Sequence, residues 1–177
     1  SIRGPAHFCG VTGYKPTNGR VSRAHAMPLS FTLDTVGPLA RSAEDCGLIA
    51  SVIVGADPLD PTTLGTPAWD AAAAARPARG MTIGVPTRFY VDDLEPDVAK
   101  AMDEALAVFK AAGARIVTAD LPDQAQVSAA ASVIIGAEAS AYHAAWLRLR
   151  AGDYGPQVRA RLENGLAYTA VQYLEAL

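Results

Sequence analysis

Met81-Thr82-Ile83-Gly84-Val85-Pro86, then Pro96 through Gly113, then Ala114-Arg115-Ile116-Val117-Thr118-Ala119 is the stretch that fixes the fold class. Met81 to Val85 reads as a buried strand stopped by Pro86. Pro96 behind Glu95 suits a helix first turn, where its missing N–H costs nothing. Val98, Met102, Ala105, Leu106 and Phe109 recur as an apolar stripe at helical spacing and end at Gly113. Ala114 to Ala119 is a second strand, closed by Pro122. Strand, helix, strand with short links predicts a right-handed crossover between parallel or near-parallel strands, and so an α/β fold.

Working outward, the C-terminal third is helical. An alanine-rich helix runs from Gln124 to about Arg150, a turn follows at Gly152-Asp153-Tyr154-Gly155-Pro156, a helix runs from Pro156 to Asn164-Gly165, and Thr169-x-x-Gln172 opens the last. Upstream, Ser42-x-x-Asp45 caps a helix carrying Cys46, Ile49, Val52 and Ile53, with Gly55 as its stop. Residues 57 to 79 hold four prolines and five consecutive alanines, and read as a surface connection with a short helix from Trp69 to Ala75. Before Leu39, nine Gly and Pro residues exclude long regular elements beyond a short helix around Pro5 to Cys9. Such irregular segments are where function is carried.

Composition bounds the partners. The chain has 177 residues, 50% apolar and 19% charged, with net charge -3. That is too hydrophobic for disorder and too short of clustered Lys and Arg to bind nucleic acid by charge. No apolar run reaches the roughly 18 residues of a membrane span. Cys9 and Cys46 are too few for a disulfide framework and lack zinc spacing, so both read as small buried residues in a reducing, cytoplasmic compartment. No metal or cofactor is expected. The chain opens on Ser1, inside a Gly/Pro-punctuated stretch, and closes inside a helical pattern, which reads as an excerpt of a longer polypeptide.

A serine becomes a nucleophile when a base takes its proton and backbone N–H groups receive the oxyanion; a tight Gly-rich turn entering a helix supplies such donors. Ser1 heads a segment of that kind. The run Ser1-Ile2-Arg3-Gly4-Pro5-Ala6-His7-Phe8-Cys9-Gly10-Val11-Thr12-Gly13-Tyr14-Lys15-Pro16-Thr17-Asn18-Gly19-Arg20-Val21-Ser22 resembles the second half of the amidase signature. The likeness continues through Leu33-Asp34-Thr35-Val36-Gly37-Pro38-Leu39-Ala40-Arg41-Ser42, the Asp57-Pro58-Leu59-Asp60-Pro61-Thr62 turn and Ile83-Gly84-Val85-Pro86.

The resemblance implies a three-layer α/β/α fold with a mixed central sheet, incomplete here, with residues 1–177 part of one amidase catalytic domain. Residues 1–123 would be its core segment and 124–177 a helical, substrate-pocket region. It implies a Ser, cis-Ser, Lys triad in which Ser1 is the catalytic nucleophile, the other two members lying upstream. A desolvated lysine can serve as base because burial disfavours its charged form. Arg3 is expected to buttress the nucleophile loop through an upstream acid. The implied activity is hydrolysis of a small-molecule carboxylic amide through an acyl-enzyme, with a homo-oligomer as a possible assembly.

Other residues read as structural. Lys15 matches a Lys-Pro-Thr strand region, Asp34 a turn, and His7, His25 and His143 have no ligand or dyad spacing. Gly10 to Gly19 lacks the order of a phosphate loop. Tyr142, Trp146 and Tyr154 are suited to line a substrate pocket. Ile135, Ala139, Tyr142 and Trp146 equally follow helical spacing as core, and the core reading is preferred. Two rival functions are carried: a glutaminase component of a tRNA-dependent amidotransferase, and a non-catalytic interaction module with a vestigial signature. Ala26-Met27-Pro28-Leu29-Ser30-Phe31-Thr32-Leu33-Asp34 is closer to stand-alone amidases than to the Ser-Ser-Leu-Asp pattern of that component.

Overall fold

The structure, a computed structural model, describes residues 2–177. Its helices are α1 (Arg3–Cys9), α2 (Ala43–Ile53), α3 (Ala71–Ala74), α4 (Pro96–Ala111), α5 (Gln124–Arg150), α6 (Pro156–Gly165) and α7 (Ala170–Ala176). Its strands are β1 (Thr12–Gly13), β2 (Leu39–Ala40), β3 (Thr82–Pro86) and β4 (Arg115–Ala119). The chain divides into two compact units, one comprising the residues up to Ala74 together with Ala130–Leu177, the other Ala75–Ala129.

The second unit is the strand, helix, strand that the sequence predicts, although the first strand is not buried as expected: no residue of β3 is buried and Met81 is exposed. β3 and β4 pair in parallel, in register from Thr82 opposite Arg115 to Pro86 opposite Ala119. Gly113, at φ 90°, takes the left-handed conformation that turns the chain from α4 into β4. The apolar stripe of α4 is real but uncovered: Val98, Met102 and Phe109 are exposed.

In the first unit β1 and β2 pair antiparallel, Thr12 opposite Ala40. Two glycines make the close approach there. A Cβ on Gly13 would lie 2.7 Å from Ala6 Cβ, and one on Gly37 would meet the Tyr14 carbonyl. α2 begins where expected: Ser42 Oγ accepts from Asp45 N–H at 3.1 Å. Val21, Ala50 and Val54 form a small core under Tyr14 and Trp69. Cys46 is buried, but Cys9 is exposed, against the expectation for it, because only Ala6 of α1 turns inward.

The C-terminal helices match their predicted limits, and Thr169 and Gln172 make the full capping box. α5 does not bury the stripe expected of it. Of the four residues read as core, Ala139 is buried, while Ile135, Tyr142 and Trp146 are 37%, 38% and 43% exposed. The buried face is Ile134, Glu138, Ala139, His143 and Leu147. It is rotated because α5 meets α6 backbone to backbone. A Cβ on Gly165 would collide with Ser140 Oγ and the Gly136 carbonyl. Ser140 Oγ lies 2.7 Å from Gly136 O and 2.6 Å from Leu162 O, its proton available to either. His143 Nδ1 lies 2.8 Å from the Tyr154 hydroxyl, which ties the α5–α6 turn to α5.

The Ser140 hydroxyl could rotate away from an added Cβ at that crossing, but the Gly136 carbonyl is backbone and cannot swing aside. Gly165→Ala is expected to cost about 2 kcal/mol by overpacking. Urea unfolding of the full-length protein checks this, and an unchanged midpoint would contradict the contact.

Candidate active site

The irregular segment between β1 and β2 is held by side chains, because it has no ladder of its own to satisfy its backbone. One anchor is the Asp57 to Thr63 turn. Asp60 Oδ2 accepts from Arg23 N–H at 2.8 Å and from Arg23 Nε at 3.4 Å, while Oδ1 accepts from the Thr62 hydroxyl at 2.6 Å and Thr62 N–H at 3.1 Å. These bonds, the Thr62 hydroxyl foremost, hold the Asp60 carboxyl far below the usual range. The same guanidinium reaches out to the Thr62 hydroxyl and the Phe31 carbonyl. Asp57 accepts from the Ser22 hydroxyl at 2.6 Å and from Leu59 N–H at 2.9 Å, which lower its pKa. The fully buried Thr63 hydroxyl closes the turn, accepting from Asp57 N–H and donating to the Asp60 carbonyl.

Residues 29 to 34 are gripped from several sides. Asp34 folds back to accept from Leu29 and Ser30 N–H at 2.8 and 3.0 Å, the turn role its sequence context predicts. Asn18 Nδ2 donates to the Thr32 carbonyl at 2.7 Å. Behind the loop stands Glu138 of α5, only 2% exposed. Its Oε2 accepts from the Ser30 hydroxyl at 2.6 Å and Thr32 N–H at 3.1 Å; its Oε1 accepts from the Thr32 hydroxyl at 2.8 Å and the Tyr173 hydroxyl at 2.6 Å. Burial pushes the carboxyl pKa up, but the four donors together outweigh it, so the net shift is downward. The Tyr173 hydroxyl is raised in turn, chiefly by its bond to Glu138.

That loop walls a cavity of about 770 Å³. Ile2, Arg3 and Gly4 line it, and Met27, Leu29, Phe31 and Leu33, each well exposed, present apolar surface to it. Ser1, the predicted nucleophile, lies outside the described residues. Arg3 is exposed and, among the described residues, makes no hydrogen bond or ion pair. Lys15 also lines the cavity, its Nζ donating to the Pro16 carbonyl at 2.7 Å. Tyr142 and Trp146 do not line it. Trp146 borders a separate recess of about 230 Å³ with Arg150, Asp153 and Tyr154. Among the described residues no three His, Cys, Asp or Glu side chains converge as metal ligands, and no helix is long and apolar enough to cross a membrane.

Sequence reasoning missed Glu138 and Arg23. A signal existed for Glu138: one acid among small residues, Gly136-Ala137-Glu138-Ala139-Ser140, on a face that must pack closely. Arg23 directly follows the run that resembles the amidase signature, yet its target lies 37 residues on.

Comparison with known proteins places this geometry in context. A family model described as Amidase matches residues 1–174. The glutamyl-tRNA(Gln) amidotransferase A subunit of Thioalkalivibrio sulfidiphilus (strain HL-EbGR7) is 42% identical over 196 residues, covering 99% of this chain and 40% of that protein. A solved structure described as a vestigial protein complex revealing the evolutionary origins of an s-triazine catabolic enzyme matches with a TM-score of 0.89 and 34% identity, over 99% of this chain and 38% of that one. Native peptide amidase from Stenotrophomonas maltophilia matches with a TM-score of 0.76 and 27% identity, over 99% and 41%. The chain spans about two fifths of the length of the curated relatives it matches.

The Asp60 anchor gives a pH signature. Its folded pKa lies below the ordinary 3.8, so its stabilisation is present above that value and is lost as pH falls through the lower, folded one. Asp60→Asn is expected to lower Tm by several degrees at neutral pH, the gap to wild type closing below pH 3.8. A Tm series against pH checks it; a pH-independent gap would contradict the assignment.

Proposed function

The chain belongs to the amidase signature family, and from that membership we propose that it serves to cleave a carboxylic amide C–N bond, with Ser1 as the nucleophile. The observation that supports this reading is the cavity beginning at Ile2, Arg3 and Gly4, the residues directly after Ser1. Ser1 Oγ attacks the carbonyl carbon, its proton passing to a lysine base through a bridging serine, both upstream. The C–N bond breaks, ammonia or an amine leaves carrying that proton, and water then hydrolyses the ester to release the acid and restore the hydroxyl. Arg3 acts by holding the nucleophile segment. The wall of Met27, Leu29, Phe31 and Leu33 favours an apolar acyl group. A reducing, cytoplasmic setting suits the exposed Cys9 thiol.

A second reading has its own support. The curated relatives at 36% to 42% identity are amidotransferase A subunits, so the chain could serve a glutaminase whose ammonia is passed to another active site. Partner chains fit this reading, and the neighbour described as a protein complex is in keeping with them. Co-purifying partner chains with glutamine hydrolysis would favour it; turnover of apolar amides by the protein alone would favour the first.

Intact-mass and peptide mapping of the full-length protein after a fluorophosphonate tests both readings, since each needs Ser1. The label is expected on Ser1, and Ser1→Ala is expected to lower amide turnover about a thousandfold or more. A label elsewhere defeats the assignment. Residues 1–177 alone are expected to be inactive for want of the base, so measurable turnover by them would contradict its upstream origin.

A further inference from the structure

Glu138 is absent from the lining of the cavity, yet it accepts four hydrogen bonds behind it. Four donors occupy its two oxygens, which leaves little capacity to accept a substrate proton, and at 2% exposure it does not reach solvent. It therefore has no catalytic role of its own. What it touches is informative. Three of the four donors come from Ser30 and Thr32, which bracket Phe31, and Ser30, Phe31 and Leu33 line the cavity. Ile135, one helical turn before Glu138 on α5, lines it as well. The fourth donor, Tyr173, belongs to α7.

A buried carboxylate is retained at a desolvation cost, and removing its charge leaves three hydroxyls and an N–H competing for a weaker acceptor. Bonds of that kind fix direction as well as distance. Of the other ties to this loop, Asn18 holds the Thr32 carbonyl and Arg23 the Phe31 carbonyl, and Asp34, itself a loop residue, accepts only from the Leu29 and Ser30 backbone. Glu138 alone among the described residues holds two loop positions at once, through side chains and backbone together.

We propose that Glu138 is the positioning residue for the apolar wall of the acyl pocket, setting through Ser30 and Thr32 where Phe31 and its neighbours stand. The proposal rests on the amide-cleavage reading above, because only a pocket serving Ser1 gives that wall a substrate to meet. The loss of Glu138 would then be felt by bulky acyl groups and not by small ones.

The test uses the full-length protein and two probes, methyl and decyl fluorophosphonate. In both, Ser1 Oγ displaces fluoride from phosphorus and its proton goes to the base. Rates of labelling at Ser1, measured by mass spectrometry, give a decyl-to-methyl ratio. In Glu138→Gln the decyl rate is expected to fall about tenfold, the loss of one charge-assisted contact, with the methyl rate within about threefold of wild type. Thr32→Val, which deletes one donor and lines no cavity, carries the same direction if Glu138→Gln fails to fold. Val54→Ala, in the small core with Val21 and Ala50 and outside the cavity lining, serves as a control for destabilisation alone: its ratio is expected to match wild type. A ratio unchanged in Glu138→Gln and Thr32→Val, or shifted equally by Val54→Ala, overturns the proposal while leaving labelled Ser1 in place. Wild type unlabelled at Ser1 overturns the amide-cleavage reading, and this proposal with it.

Discussion

The carboxylate of Glu138 is the constraint around which the first unit is arranged. It gathers a loop residue pair and a helix, separated from it by 106 to 108 and 35 residues, onto two oxygen atoms. The loop it holds has no strand partners for its backbone, so without side-chain anchors its amides would turn to water and its apolar side chains would lose a fixed place. Asp60 plays the matching part at the other flank through Arg23. Two buried or half-buried acids thus do for an irregular segment what a ladder does for a sheet, and each is balanced by donors, so that neither is a stranded charge.

The helices that carry these groups were largely legible. α5, α6 and α7 begin and end where the sequence places them, because caps, prolines and glycines act locally and leave the same trace in any fold. β3, α4 and β4 were legible for the same reason, and their parallel pairing followed from the length of the connection. The site was legible at its edges. The segment after Ser1 and the turn role of Asp34 were both readable from neighbours a few residues away.

What escaped was long-range. The small residues around Glu138 mark a closely packed face, but nothing near it in sequence reveals that Ser30, Thr32 and Tyr173 converge on it. The stripe of Ile135, Ala139, Tyr142 and Trp146 obeyed helical spacing, yet only Ala139 is buried, because the packing of Gly136 against Gly165 selects the neighbouring face. Periodicity identifies an amphipathic helix; which of two adjacent faces is buried depends on the steric demands of the partner. Cys9 was misjudged similarly, since a seven-residue helix with one buried alanine has little interior to offer.

Because one acceptor serves both Thr32 and Tyr173, the order of the pocket loop and the docking of α7 draw on the same bonds. By reciprocity, whatever steadies either partner steadies the other. Occupancy of the cavity should consequently be audible at the far end of the chain, as slower amide hydrogen exchange in a helix that no ligand touches.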